Sequence, residues 1–114
     1  MSIVIIIFFG LVAFLFLAFT NFDQLVKIEY NKYKEQWIKD GKPIGFFWRP
    51  PESNWFGSSI AMQRLSMRWI FRTPNWATGD PQAKIYLRKL RIFVLTWNVG
   101  MIIWFMVTMR LLLK

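Results

Sequence analysis

The sequence predicts an all-α membrane protein with two transmembrane helices, at about residues 3–22 and 92–113. Three observations carry that class. Ile92 to Leu113 (IFVLTWNVGMIIWFMVTMRLLL) is apolar almost throughout, and at about 1.5 Å per residue it runs roughly 33 Å, enough to cross a bilayer core. A second apolar run, Ile3 to Phe19, stands at the other end of the chain. Between them lies a basic, aromatic-rich region, residues 23–91, which is too charged to enter lipid. The hydrophobic fraction of 55% and aromatic fraction of 19% exceed what a small soluble domain needs, and 114 residues allow one two-span domain covering 1–114.

Composition then narrows the chemistry. There is no Cys and no His, which removes disulfides, thiolate zinc sites, iron–sulfur clusters, His-ligated haem and His acid–base catalysis. The carboxylates are Asp23, Glu29, Glu35, Asp40, Glu52 and Asp80. None is spaced for shared proton transfer or a metal: Asp80 has a helix-capping position, and Glu29 and Glu35 read as helix-surface acids among lysines. The expectation is a non-enzymatic protein with no cofactor, no metal and no small-molecule substrate. A formal charge of +9 on a soluble chain would raise nucleic acid as a partner. Here the basic residues flank apolar runs, the positive-inside pattern of membrane proteins, so no nucleic acid is expected.

The first apolar run has no Lys or Arg ahead of it, and LAFTNFDQL offers no small-residue cleavage site, so it reads as an uncleaved anchor. Lys27, Lys32, Lys34 and Lys39 follow the first span, and Lys84, Arg88, Lys89 and Arg91 precede the second. On the far side stand Arg110 and Lys114. That bias predicts a cytoplasmic middle with both termini non-cytoplasmic.

The first helix is expected to continue inward, because Phe22, Val26, Tyr30, Tyr33 and Trp37 recur at three- and four-residue steps. This aromatic stripe is a packing face or a ligand site. Asp40-Gly41-Lys42-Pro43 ends the helix, with Gly41 suited to a left-handed cap and Pro43 unable to continue. The segment GFFWRPP (45–51) is irregular; it lies on the membrane surface or its own helices, or docks a partner through Phe46, Phe47, Trp48, Trp55 and Phe56.

Ser58 or Ser59 is expected to cap a short amphipathic interfacial helix, about 58–72, ended by Pro74. Met62, Leu65 and Trp69 line one face. Arg64, Arg68 and Arg72 form a stripe at four-residue spacing, whose mutual repulsion calls for anionic lipid or a partner's acidic groove. With Lys84, Arg88, Lys89 and Arg91 they are the expected headgroup contacts of an anionic inner leaflet. Thr78-Gly79-Asp80-Pro81 signals a helix start, with Asp80 accepting from first-turn amides and Pro81 at the first helical position. One helix is then expected from Pro81 to Leu113. Within the spans, Gly10, Ala13 and Gly100 permit close backbone approach and Asn98 calls for a hydrogen-bonding neighbour, so these four mark the expected helix–helix packing. No acid lies inside either span to relay protons, and two helices cannot enclose a solute path.

Gly45-Phe46-Phe47, Arg64-Leu65, Asp80, Arg88, Arg91 and Phe93-Val94-Leu95-Thr96, together with the order span, basic middle, span, resemble universal stress protein B, a small two-span inner-membrane protein of proteobacteria. The likeness covers about half of the chain and runs without a gap from Arg64 to Thr96. The WRPPESNW segment after Phe47 departs from that pattern. The resemblance implies a bacterial inner-membrane location and carries no biochemical activity with it. The functional expectation is an accessory or structural subunit that packs against a larger membrane protein complex or self-associates. The alternative is a self-contained, stress-related lipid binder of the inner leaflet.

Overall fold

The chain, described over residues 2–113 in a computed structural model, is all-helical: α1 (Ser2–Lys32), α2 (Lys34–Lys39), α3 (Trp55–Phe71), α4 (Asn75–Thr78) and α5 (Pro81–Leu112). Helices α1 and α5 form an antiparallel hairpin inside an envelope 57 Å long. Its pairing runs from Tyr33 against Asp80, through Phe14 against Phe93, to Phe8 against Trp104. Both helices are long and apolar enough to cross a membrane. Their most apolar stretches are only 11% and 0% buried, the reverse of a soluble core helix, whose apolar face is covered by protein.

The buried core sits at the other, polar end of the hairpin. Phe22, Leu25 and Val26 of α1, Leu65 and Trp69 of α3, Trp76 and Ala77 of α4, and Ala83, Leu87 and Leu90 of α5 close on one another there. Short elements wrap this end because neither long helix alone covers Leu25 or Trp69.

The local signals at α5 act as expected. The Asp80 carboxylate accepts from the amides of Gln82 and Ala83, and Pro81 occupies the first turn. Gly41 takes φ +96°, the left-handed cap, and the following turn is closed by the Trp37 indole donating to the Pro43 carbonyl at 2.9 Å.

Two boundaries differ from the sequence reading. The inward helix is interrupted at Tyr33 (φ −129°, ψ 50°), separating α1 from α2. Tyr33 is held from outside the helix, its hydroxyl donating to Asp80 at 3.0 Å and its ring 5.3 Å from Trp76. The middle helix starts at Trp55, four residues earlier than a Ser58 cap would allow. Asn54 is its cap, accepting from the Phe56 amide, while Ser58 turns back to accept from the Asn54 amide at 2.8 Å. These two bonds satisfy the Phe56 and Asn54 amides at the helix start, and Ser58 is fully buried. Leu65 and Trp69 face the core, whereas Met62 is only partly buried.

The contact between α1 and α5 in the apolar half also differs in part. Leu11 packs directly onto Gly100, where a Cβ would overlap the leucine side chain. The Trp104 indole donates to the Val4 carbonyl at 2.8 Å. Gly10 and Ala13 are exposed, nothing lies within 4 Å of a Cβ on Gly10, and Asn98 is exposed with its amide donating to Val94 of its own helix. The close approach is a knob on a glycine, leucine into Gly100, so the small residues of α1 are not needed at the seam.

Candidate membrane-interface site

Three groups of polar and aromatic side chains lie on the polar half of the hairpin, beginning where it meets the apolar half. The first component is a hook. The Gly45 amide donates to the Trp48 carbonyl at 2.8 Å, closing a tight turn, and the amides of Phe46 and Phe47 donate to the two carboxylate oxygens of Asp23, at 2.5 and 2.8 Å. Asp23 is buried against the turn. A Cβ on Gly45 would overlap its carboxyl group, so glycine is required there by space, not by φ. The pinned turn lays Phe46 flat on Phe19, centroids 4.0 Å apart, and Phe47 flat on Phe16 at 5.8 Å. Phe16 and Phe19 belong to the apolar run of α1.

This arrangement divides the five expected docking residues. Phe46 and Phe47 each lay one ring face on α1 while staying exposed on the other, and Trp48 is partly buried against the core beside Tyr30, with Lys27 above its ring. Trp55 and Phe56, 71% and 67% exposed, remain open.

The second component is a buried acid. Glu29 was expected on a lysine-rich surface; the structure instead buries it completely, with neither carboxylate oxygen hydrogen-bonded. The reason is register. Ala18, Phe22, Leu25 and Glu29 follow one another at steps of four, three and four, so Glu29 falls on the core stripe of α1. Burial, with the neighbouring Asp40 carboxyl adding to it and the Trp76 indole opposing it, pushes its pKa up to about 10, so Glu29 is a neutral acid at physiological pH. The Trp76 indole N–H beside it is likewise buried without a partner.

Next to this pair opens a cleft lined by Gln36, Asp40, Arg68, Arg72, Asn75 and Trp76, among others. On the far side of Tyr33 lies Asp80. The Ala83 amide, followed by the Tyr33 hydroxyl, Lys32 and the Gln82 amide, holds its carboxyl below the usual carboxylate range. Among the described residues no group of three or more acids could hold a metal ion.

The third component is cationic. Arg64 and Arg68 are exposed on α3, whereas Arg72, expected in the same helical stripe, is the extended residue that follows the helix; Arg64 already donates to the Asp40 carbonyl at 2.7 Å and serves the fold. Lys84, Arg88 and Lys89 are exposed on the polar end of α5. Arg91 is partly buried, its Nε donating to the Trp69 carbonyl and one terminal nitrogen to the Thr73 hydroxyl, both at 3.1 Å.

Thr73 and Trp76 are residues that sequence reasoning did not single out, and Asp23 and Glu29 were named only as carboxylates without a site role. For Glu29 the stripe spacing was a usable signal; for the others the signal is tertiary. The chain matches no family model, no curated protein and no solved structure. The expected kinship with universal stress protein B therefore rests on the residues quoted for it alone.

Proposed function

We propose that the chain is a non-enzymatic, two-span protein of the bacterial inner membrane, with residues 23–91 cytoplasmic and both termini outside. In this reading it is an accessory subunit that packs its second span against a further transmembrane helix of a larger complex. The observation that carries it is Asn98. Leu95, Asn98, Ile102, Phe105 and Met109 recur along α5 at alternating steps of three and four, and all five are exposed. An amide set in such a stripe, with only one donor used within its own helix, is poorly satisfied by lipid and well satisfied by another helix. Trp55 and Phe56 supply a second open aromatic surface on the cytoplasmic side.

The absence of native Cys makes the test clean. Single cysteines at 95, 98, 102 and 105 are expected to crosslink to a companion chain in native membranes. Cysteines at 103 and 107, which line the groove toward α1, are not. Asn98→Leu should diminish the crosslinks. Migration as a lone monomer in mild detergent, with no product from any position, overturns the reading. A reporter fused after Lys114 that is active only in the cytoplasm overturns the orientation.

A further inference from the structure

Beside the Arg91 guanidinium, the connection from α3 to α4 and the first turns of α5 enclose an open notch of about 330 Å³. Thr73, Lys84, Leu87, Arg88, Arg91 and Ile92 line it. Three of the six are cations, and the walls include no acid. The ion pairs among the described residues, Lys32 with Asp80 and Lys34 with Glu52, lie elsewhere. Arg91 is anchored at two points, to the Trp69 carbonyl and the Thr73 hydroxyl, so its guanidinium is fixed before any ligand arrives. A held arginine loses less freedom on binding than a free one. Lys89, one residue from Arg88, is outside the notch.

The chemistry of the walls selects the guest. A carboxylate is matched by one arginine fork, whereas several converging cations match a phosphate, whose oxygens spread the charge around a tetrahedron. Position selects the source. Ile92 at the rim opens the apolar run of α5, so a phosphate in the notch lies directly above apolar surface, as a lipid phosphate lies above its acyl chains. A soluble phosphate would gain nothing from the exposed side chain of Ile92. We propose that this notch seats the phosphate group of one anionic phospholipid, held by Lys84, Arg88 and Arg91. The proposal rests on α5 being a membrane span and is independent of any partner helix.

The test uses the full chain, purified in neutral detergent free of phosphate and titrated with phosphatidylglycerol, phosphatidylcholine or inorganic phosphate. Bound adducts are counted by native mass spectrometry. One phosphatidylglycerol per chain is expected to persist where phosphatidylcholine is lost. Arg88→Gln and Lys84→Gln should each weaken the adduct about fivefold, from the usual worth of one basic residue near an anionic leaflet. Lys89→Gln, which removes the same charge outside the notch, should leave it unchanged. Both notch variants alter exposed side chains, and retained helical circular dichroism confirms that they fold.

An equal loss in Lys89→Gln shows diffuse attraction and overturns the site. Equal retention of phosphatidylcholine also overturns it. Displacement of the lipid by millimolar inorganic phosphate, dependent on Arg88, assigns the notch to a soluble phosphate and overturns the lipid source. Alkaline carbonate extraction of membranes reads the span itself, so failure of the membrane reading is scored separately.

Discussion

Replacing Glu29 by Gln gives the sharpest test of the buried acid. An unfolded glutamate ionises near pH 4.5, whereas burial, with Asp40 adding to it, holds the folded group protonated up to about pH 10. Between those values the folded chain binds one proton more than the unfolded chain, so stability falls as pH rises. The contribution is fully present below about pH 4.5 and is lost progressively toward pH 10. The slope is on the order of 1 kcal/mol per pH unit, so a loss of roughly 2–3 kcal/mol is expected between pH 6 and pH 8. That window is unusually quiet, because the chain has no His and no Cys to titrate within it. The assay is unfolding of the detergent-solubilised protein by sodium dodecyl sulfate, followed by tryptophan fluorescence at pH 6, 7 and 8. Wild type should weaken along that slope. Glu29→Gln, which copies the shape of the neutral acid, should be flat with pH and the more stable of the two at pH 8. A wild type as stable at pH 8 as at pH 6, with a Gln variant equally weakened at both, would mean an ionised and paired Glu29, and the reasoning would fail.

Asp23→Asn leaves one oxygen acceptor for the two amides of Phe46 and Phe47; a loss of about 1–3 kcal/mol is expected, together with faster chymotryptic cleavage after Phe47, read by limited proteolysis. Asp80→Ala removes the cap of α5 and the acceptor of the Tyr33 hydroxyl, so a loss of about 1–2 kcal/mol is expected by the same unfolding assay, with Asp80→Asn retaining most of the stability. Gly100→Ala forces its Cβ into Leu11 and should loosen the hairpin, whereas Gly100→Ala with Leu11→Ala should recover part of the loss, a coupling that a double-mutant cycle measures directly.

What could be read from the sequence divides by the range of the interaction. The start of α5 was legible because Asp80-Pro81 acts within one turn, and Gly41 was legible because its left-handed cap is local. The two long apolar helices needed only composition and length. The start of α3 was not legible: Ser53, Asn54, Ser58 and Ser59 are all competent caps, and the choice of Asn54 depends on Ser58 being drawn into the core. The break at Tyr33 depends on Asp80 and Trp76, which are more than forty residues away in sequence. In the interface site, cations flanking an apolar run were visible as a group, but their division was not. Arg64 is engaged by the Asp40 carbonyl, Arg91 is locked by Trp69 and Thr73, and Lys84 and Arg88 stay open.

That division follows from how the chain uses its few acids. Asp23 is taken by the amides of the hook, Asp80 by the head of α5, and Glu52 by Lys34. Asp40 accepts from Gln36, and Glu29 is buried and neutral. Of the six carboxylates this leaves Glu35 alone without an internal role among the described residues, against fifteen Lys and Arg. The cationic notch at the foot of α5 therefore has no acid among its own lining residues, and α3, packed beside it, carries no carboxylate to supply one. A concave group of three cations left this way draws its anion from outside the protein. The rim at Ile92 joins that group to apolar surface, and a phospholipid answers both demands at once.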